Sequence, residues 1–351
     1  MRLLIDILHP AHVHFFKNLY FELTGRGHEV LVTARSKDRS TELLDELHIP
    51  YRHISDEGKG KAGQAWEFGT RTLRFIRLAW QFRPDVLAGI MGPTIAAASR
   101  VVGAPAYVFY DTEFATGTNR WVYPLAARVI TPDCYQGRAG VRQLVYPGYH
   151  ELAYLHPKRF APCADILRAA DIDVGRPFFV VRFVAWKATH DVGEIGLTDE
   201  RKIAVVRSLE KYGRVIVSSE GEVPGSLLGN LYRGPVESFH HLLAFSELYF
   251  GESATMASES AVLGTPAIYI AKTGRGYTDD QARYGLVHNF KHTECDAALH
   301  RAELLLQNLE RTRREADANH QRLLADKIDV TEFMTDLFEA DFPSNPGPFL
   351  K

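Results

Sequence analysis

The sequence predicts an α/β fold built from two doubly wound parallel sheets. Three observations carry that expectation. Strand-length, largely apolar runs recur at 3–8, 28–33, 86–90 and 106–110, and again at 178–183, 215–218, 248–250 and 267–270. Near-continuous runs of this kind suit strands buried on both faces. Segments of helical periodicity separate them at the spacing of βα units, which implies parallel pairing. The alternation breaks once, over 147–177, where Pro147, Pro157, Pro162 and Pro177 crowd a stretch of mixed polarity, and then restarts. At 351 residues the chain exceeds the roughly 250–300 at which a single core stops growing, so two domains are expected. They are placed at 1–155 and 156–329, with a helix and tail over 330–351 that can pack back on the first.

In chain order, the first strand (3–8) is followed by a loop, His9–His14, and an amphipathic helix from Phe15 to Thr24 that Gly25 and Gly27 end. After the second strand (28–33), a helix over about 41–47 leads to a short third strand near 51–54. The charged, glycine-rich segment 56–63 reads as a mobile loop. A long helix spans 66–82 with aromatic and aliphatic residues on one face. Pro84-Asp85 introduces the strand 86–90, Met91–Thr94 is a turn, and small residues up to Arg100 make a closely packed helix. Strands at 106–110 and 129–131 complete the first half. In the second half, helices at about 199–211 and 238–245 and one starting near Ser253 alternate with the strands. A long polar helix runs from Asp296 to about Leu324, and a final helix covers 330–340. The proline-rich tail from Phe342 reads as a disordered or surface strap.

Hydrophobic content of 46% and charged content of 24% are those of a soluble globular protein. A formal net charge of -2 argues against a general nucleic-acid binder. Cys134, Cys163 and Cys295 are odd in number and widely spaced, so neither a disulfide framework nor a zinc knuckle is expected, and a reducing cytoplasm is. The opening apolar run is too short and too early for a signal peptide, and no stretch approaches the ~18 apolar residues of a membrane span. A peripheral membrane contact stays open, because exposed apolar patches leave weak traces in a sequence.

The chain is organised around Phe250–Pro266. An apolar strand leads through small and hydroxylated residues into helix formers that stop at Gly264 and Pro266. Free N–H groups and the positive dipole end at such a helix start make an anion site, and Ser253, Ala254 and Thr255 are small enough to admit a phosphate. Glu259, about one turn further on, can accept hydrogen bonds from ribose hydroxyls. An ordinary strand-to-helix turn with a solvated Glu259 is the plainer alternative.

Ligands of open parallel sheets lie beyond the carboxyl ends of the strands, so the other loops there matter too, and two sheets facing each other would enclose a cleft. Three histidines within six residues, His9, His12 and His14, follow the first strand. They suit a general base or a substrate contact better than a metal, since no carboxylate follows closely and Phe15-Phe16 re-enters the core. Asp111 and Glu113 sit just past the strand ending at Tyr110, as a base, as sugar-orienting groups or as helix caps. Arg182 lies in an apolar strand and so requires an anionic partner, and with Lys187 and His190 it can face a diphosphate. Arg275 adds a cation after the strand 267–270.

Together these pieces resemble the GT-B superfamily, the two-Rossmann-domain glycosyltransferases and their UDP-GlcNAc 2-epimerase relatives. Ser258-Glu259 through Gly264 and Pro266 is similar to the ribose-binding helix of the GlcNAc transferase of peptidoglycan synthesis and of the epimerases. His12-Val13 is similar to the loop histidine of that transferase, and the stretch from Asp111 to Thr131 to the acidic loop and next strand of both families. Pro84-Asp85-Val86 with Gly92-Pro93-Thr94 resembles an epimerase motif whose central aspartate is Pro93 here. Asp6–Asn18, with Gly148–Leu155, is closer to an uncharacterised group, domain-of-unknown-function family 354.

The resemblance implies GT-B architecture and a nucleotide-sugar-dependent glycosyltransferase acting in glycan or glycoconjugate biosynthesis. Its catalytic set would come from His12, His14, Asp111 and Glu113. Its donor site would come from Arg182, Lys187, His190, Ser253, Ala254, Thr255, Glu259 and Arg275. No metal or separate cofactor is implied, only a nucleotide sugar as donor and a sugar or lipid-linked acceptor. Sugar-nucleotide epimerisation or hydrolysis on the same fold, and non-catalytic binding, are the alternatives.

Overall fold

A computed structural model describes residues 1–36, 39–58, 60–113, 115–185 and 196–343. The chain separates into two compact units, Met1–Tyr154 with the chain from Ile328 onward, and Leu155–Lys327.

The first unit holds seven strands: β1 (Arg2–Ile7), β2 (Glu29–Ser36), β3 (Tyr51–Asp56), β4 (Val86–Ile90), β5 (Ala106–Phe109), β6 (Arg128–Pro132) and β7 (Gln143–Tyr146). All neighbours pair parallel, in the order β3-β2-β1-β4-β5-β6-β7. The order reverses between β1 and β4, so the connections leaving these two strands diverge and open a crevice at their carboxyl ends. Helices Pro10–Gly25, Ser40–Glu46 and Val330–Asp341 pack together as one layer, and Gly60–Phe82, Pro93–Val102 and Thr116–Leu125 as another. Strand alternation sorts the core between them. Phe109 meets Phe15 and Phe16 edge-on, whereas Val108 and Tyr110 join Phe75, Ile95 and Val122.

The second unit holds β8 (Phe178–Phe183), β9 (Arg214–Ser219), β10 (Leu248–Gly251), β11 (Ala267–Ile270) and β12 (Val287–Phe290), parallel in the order β12-β11-β10-β8-β9. Here the order reverses between β8 and β10. Phe179, Val181, Val217, Phe250 and Ile268 build its core with Leu209 and Leu305.

Several elements differ from the sequence reading. The first helix begins at Pro10, not Phe15. Proline suits the first helical position, and the His9 ring accepts a hydrogen bond from the Ala11 N–H at 3.2 Å as a cap. His12 and His14 are therefore helical, not on a loop. The helix expected at 66–82 starts at Gly60. The long polar helix is two, Cys295–Leu306 and Leu309–Asp326, because the Asn308 side chain accepts from the Arg311 N–H at 3.1 Å and starts a new helix. β7 and β12, each of four residues, were not anticipated.

Candidate functional site

In the first unit, titratable side chains collect where β1, β5 and β7 end. The Leu8 N–H donates to His12 Nδ1 at 3.3 Å, which leaves the proton of the neutral ring on Nε2. Burial, with the positive charge of His9, His150 and Arg71 against the opposing Asp111, pushes the His12 pKa well below 6.5. In this neutral form His12 presents an Nε2–H donor, which suits the substrate contact offered by the sequence better than the general base.

Asp111 lies two residues past β5. One carboxylate oxygen is 3.1 Å from His150 Nδ1 and the other accepts from the Thr112 hydroxyl at 2.9 Å. Burial raises its pKa, but the charge and hydrogen bond of His150, with Thr112 and His12, outweigh that and hold it at about 2. His150 reaches this position on the turn that follows β7. Its ring packs against Phe15 at 4.4 Å, and its Nε2 is buried without a hydrogen-bond partner among the described residues. A carboxylate therefore orients an imidazole whose outer nitrogen is uncommitted, the arrangement of a general base.

Asp6, inside β1, accepts from Arg71 at 2.5 Å and from Thr33 at 2.8 Å, which completes a buried charged floor. The other two catalytic candidates make different contacts. His14 stacks on Tyr154 with ring centroids 5.3 Å apart, and Glu113 accepts from the Gln136 N–H at 3.3 Å.

In the second unit, Ser253 caps the helix Ala254–Val262, its hydroxyl accepting from the Met256 N–H at 3.4 Å. Ala254 and Thr255 form the first turn. The buried Tyr249 hydroxyl holds the Ser253 backbone, donating to its carbonyl at 3.1 Å. Glu259 is buried on the same helix, 3.0 Å from His240 Nε2, rather than solvated. Arg182 is half-buried and has the anionic partner expected of a charge in an apolar strand, but the chain supplies it: the guanidinium donates to Glu220 and to the Ser218 hydroxyl, both at 2.6 Å. Arg275 folds onto its own loop, donating to Thr273 at 3.1 Å and to the Gly274 carbonyl at 3.2 Å. Lys187 and His190 lie outside the described residues.

Sequence reasoning missed two residues. His150 stood in a segment read as the entry to a linker. Glu252, the first residue after β10, is 1% exposed and accepts from the backbone N–H groups of Val184 at 3.1 Å and Leu197 at 2.8 Å. It pins the chain on both sides of 186–195. Among the described residues no three His, Cys, Asp or Glu side chains are grouped to hold a metal.

Comparison with known proteins fits this architecture. Residues 1–142 match a family described as a protein of unknown function, DUF354. An uncharacterized protein of Methanocaldococcus jannaschii is 22% identical over 280 residues, which is 75% of this chain and 80% of that protein. A UDP-GlcNAc 2-epimerase from Neisseria meningitidis, solved bound to UDP-GlcNAc, superposes with a TM-score of 0.70 at 11% identity, over 97% of this chain and 100% of its own. The spinosyn rhamnosyltransferase SpnG, solved with thymidine diphosphate, gives a TM-score of 0.63 at 14% identity, over 96% of this chain and 100% of its own. At such identities the likeness defines a fold. That fold is GT-B, two Rossmann-like domains, with epimerases and glycosyltransferases among the structures it resembles.

Proposed function

We propose that the chain is a nucleotide-sugar-dependent glycosyltransferase that uses side chains alone, activating a sugar or lipid-linked acceptor in the first unit and holding the donor in the second. The observation that carries this reading is the pair of half-buried Asp111 and buried His150 with its uncommitted Nε2. His150 Nε2 takes the proton of the acceptor hydroxyl as that oxygen attacks the anomeric carbon. The bond from this carbon to the diphosphate oxygen breaks, and the nucleoside diphosphate leaves with the electron pair. Asp111 stabilises the imidazolium that forms, and the His12 Nε2–H fixes the sugar as a donor. Base catalysis of this kind is worth about 10²–10⁴-fold.

On the donor side, Glu220 already neutralises Arg182, so the first-turn amides at Ser253–Thr255 and the helix dipole would bear most of the diphosphate charge. Glu259 would receive the ribose hydroxyls beside His240. Where the resembling epimerase motif has an aspartate this chain has Pro93, at the start of the helix Pro93–Val102, which favours transfer over epimerisation.

A panel of nucleotide sugars tests this. The cognate donor at ~100 times its Kd should stabilise the fold by about 2.7 kcal/mol. Nucleoside diphosphate release should require an acceptor. His150→Gln and Asp111→Asn should lower kcat by roughly 10²–10⁴-fold, while Glu259→Gln raises the donor KM. An isomeric nucleotide sugar formed without acceptor would establish epimerisation instead, and binding without turnover would refute catalysis.

A further inference from the structure

One helix carries a stripe that the candidate site does not use. On Gly60–Phe82, Trp66, Leu73 and Trp80 recur every seven residues, so they fall near one line along the helix. They are 76%, 69% and 58% exposed. From Trp66 to Trp80 the line runs roughly 21 Å at helical rise. Scattered apolar residues on a surface are ordinary, but an aligned pair of tryptophans with a leucine between them is a patch. Arg74 and Arg77 are exposed beside it.

The charge of the whole layer points the same way. Its three helices, Gly60–Phe82, Pro93–Val102 and Thr116–Leu125, contain a single acid, Glu67. Glu67 is buried, accepting from Ser55 at 2.8 Å and paired with Arg35 at 3.4 Å, so it gives the outer face no negative charge. Arg100 and Arg120 are exposed on the two neighbouring helices. The other layer is more acidic: within its helices Glu22, three acids in Ser40–Glu46 and four in Val330–Asp341 stand against Lys17, and of these Glu22 and Glu339 pair with Arg26 and Glu46 with Arg39 at the helix ends.

We propose that the cationic layer rests on an anionic lipid surface. Trp66, Leu73 and Trp80 enter the boundary between headgroups and acyl chains, and the arginines face lipid phosphates. Tryptophan prefers that boundary, and arginine gains from the negative surface potential. The contact is peripheral, since no helix among the described residues is long and apolar enough to cross a membrane. A two-fold contact of this face with itself would set Arg74 and Arg77 close to their own copies, which disfavours a second copy as the occupant. The acidic layer would be repelled by the same lipid, so the charge difference also sets which side docks. None of this depends on the reaction proposed above.

The test is sedimentation of the full chain with vesicles of phosphatidylcholine alone or with about a third phosphatidylglycerol. Binding is expected only to the anionic vesicles, with a blue shift of tryptophan fluorescence, and should weaken as salt rises. Replacing Trp66→Ala, Leu73→Ala and Trp80→Ala together should weaken it at least ~10-fold, as should Arg74→Gln with Arg77→Gln. Circular dichroism confirms that both variants fold. Absence of binding, or equal binding by wild type and both variants, would overturn the proposal. So would a concentration-dependent dimer that the triple variant abolishes while vesicles are ignored.

Discussion

The two units commit their loop-end charges to different degrees. In the first, buried polar atoms are left uncommitted: His150 Nε2 and one oxygen of Asp6 have no partner among the described residues, and His12 is held neutral. In the second, the carboxylates and the terminal nitrogens of Arg182 are tied to the chain itself, while Arg182 Nε and Gln281 Oε1 are buried without a partner among the described residues. Arg182 is bound by Glu220 and Ser218, Glu259 by His240, and Glu252 by two backbone amides. Uncommitted buried groups cost stability and keep hydrogen-bonding capacity that a ligand could use, whereas committed ones hold a surface in place. Substitutions in the first unit should therefore change turnover more than folding, and those in the second should change folding first.

The largest stability effect is expected at Glu252. Glu252→Ala leaves the buried Leu197 N–H and the half-buried Val184 N–H without an acceptor, at a cost of roughly 2–6 kcal/mol for the pair at most. Denaturant unfolding of the full chain should show this loss, with Glu252→Gln retaining part of the stability because it keeps one acceptor. A loss under ~1 kcal/mol would place Glu252 among the uncommitted groups and erase the contrast.

Asp111 comes next, through pH. A carboxylate whose folded pKa lies below its unfolded value stabilises the fold above the unfolded value, and that stability is lost as pH falls through the folded one. With Asp111 at about 2, the window runs from near pH 4 down to 2. The contribution at neutral pH is about 2 kcal/mol. Acid unfolding of wild type against Asp111→Asn should differ by this limb. Identical acid curves would mean that the His150 contact is not formed in solution.

How much of this was legible in the sequence depends on the range of the interaction. Most strands of both sheets announced themselves, because their runs are largely apolar. β7 did not, since its apolar run Leu144–Tyr146 is short and abuts the proline-rich segment from Pro147, and at the sheet edge Gln143, Leu144 and Val145 are not buried. The glycine and hydroxyl residues around Ser253 predicted a helix start, a local matter of capping, and the helix is there. That Arg182 needs an anion was also legible, because a charge in an apolar strand states its own requirement. Which anion was not: Glu220 is 38 residues away in sequence and reaches it only because β8 pairs with β9. Glu252 and His150 were opaque for the same reason. Their partners are set by strand order, and no spacing along the chain encodes that order.

The smallest effect separates two readings of Ser253. Its hydroxyl accepts from the Met256 N–H, so as a cap alone its loss in Ser253→Ala should cost about 1 kcal/mol, and Ser253→Gly only a few tenths. An anion bound at this helix start meets the same first turn and the same dipole end. Alanine and glycine both remove the hydroxyl and keep the backbone amide, so if the amides grip the diphosphate, both variants should retain the donor-induced thermal shift despite their different stabilities. Parallel loss of the shift in both would assign the grip to the hydroxyl. A shift that tracked stability would reduce Ser253 to a cap, leaving the second unit with no anion site at this helix.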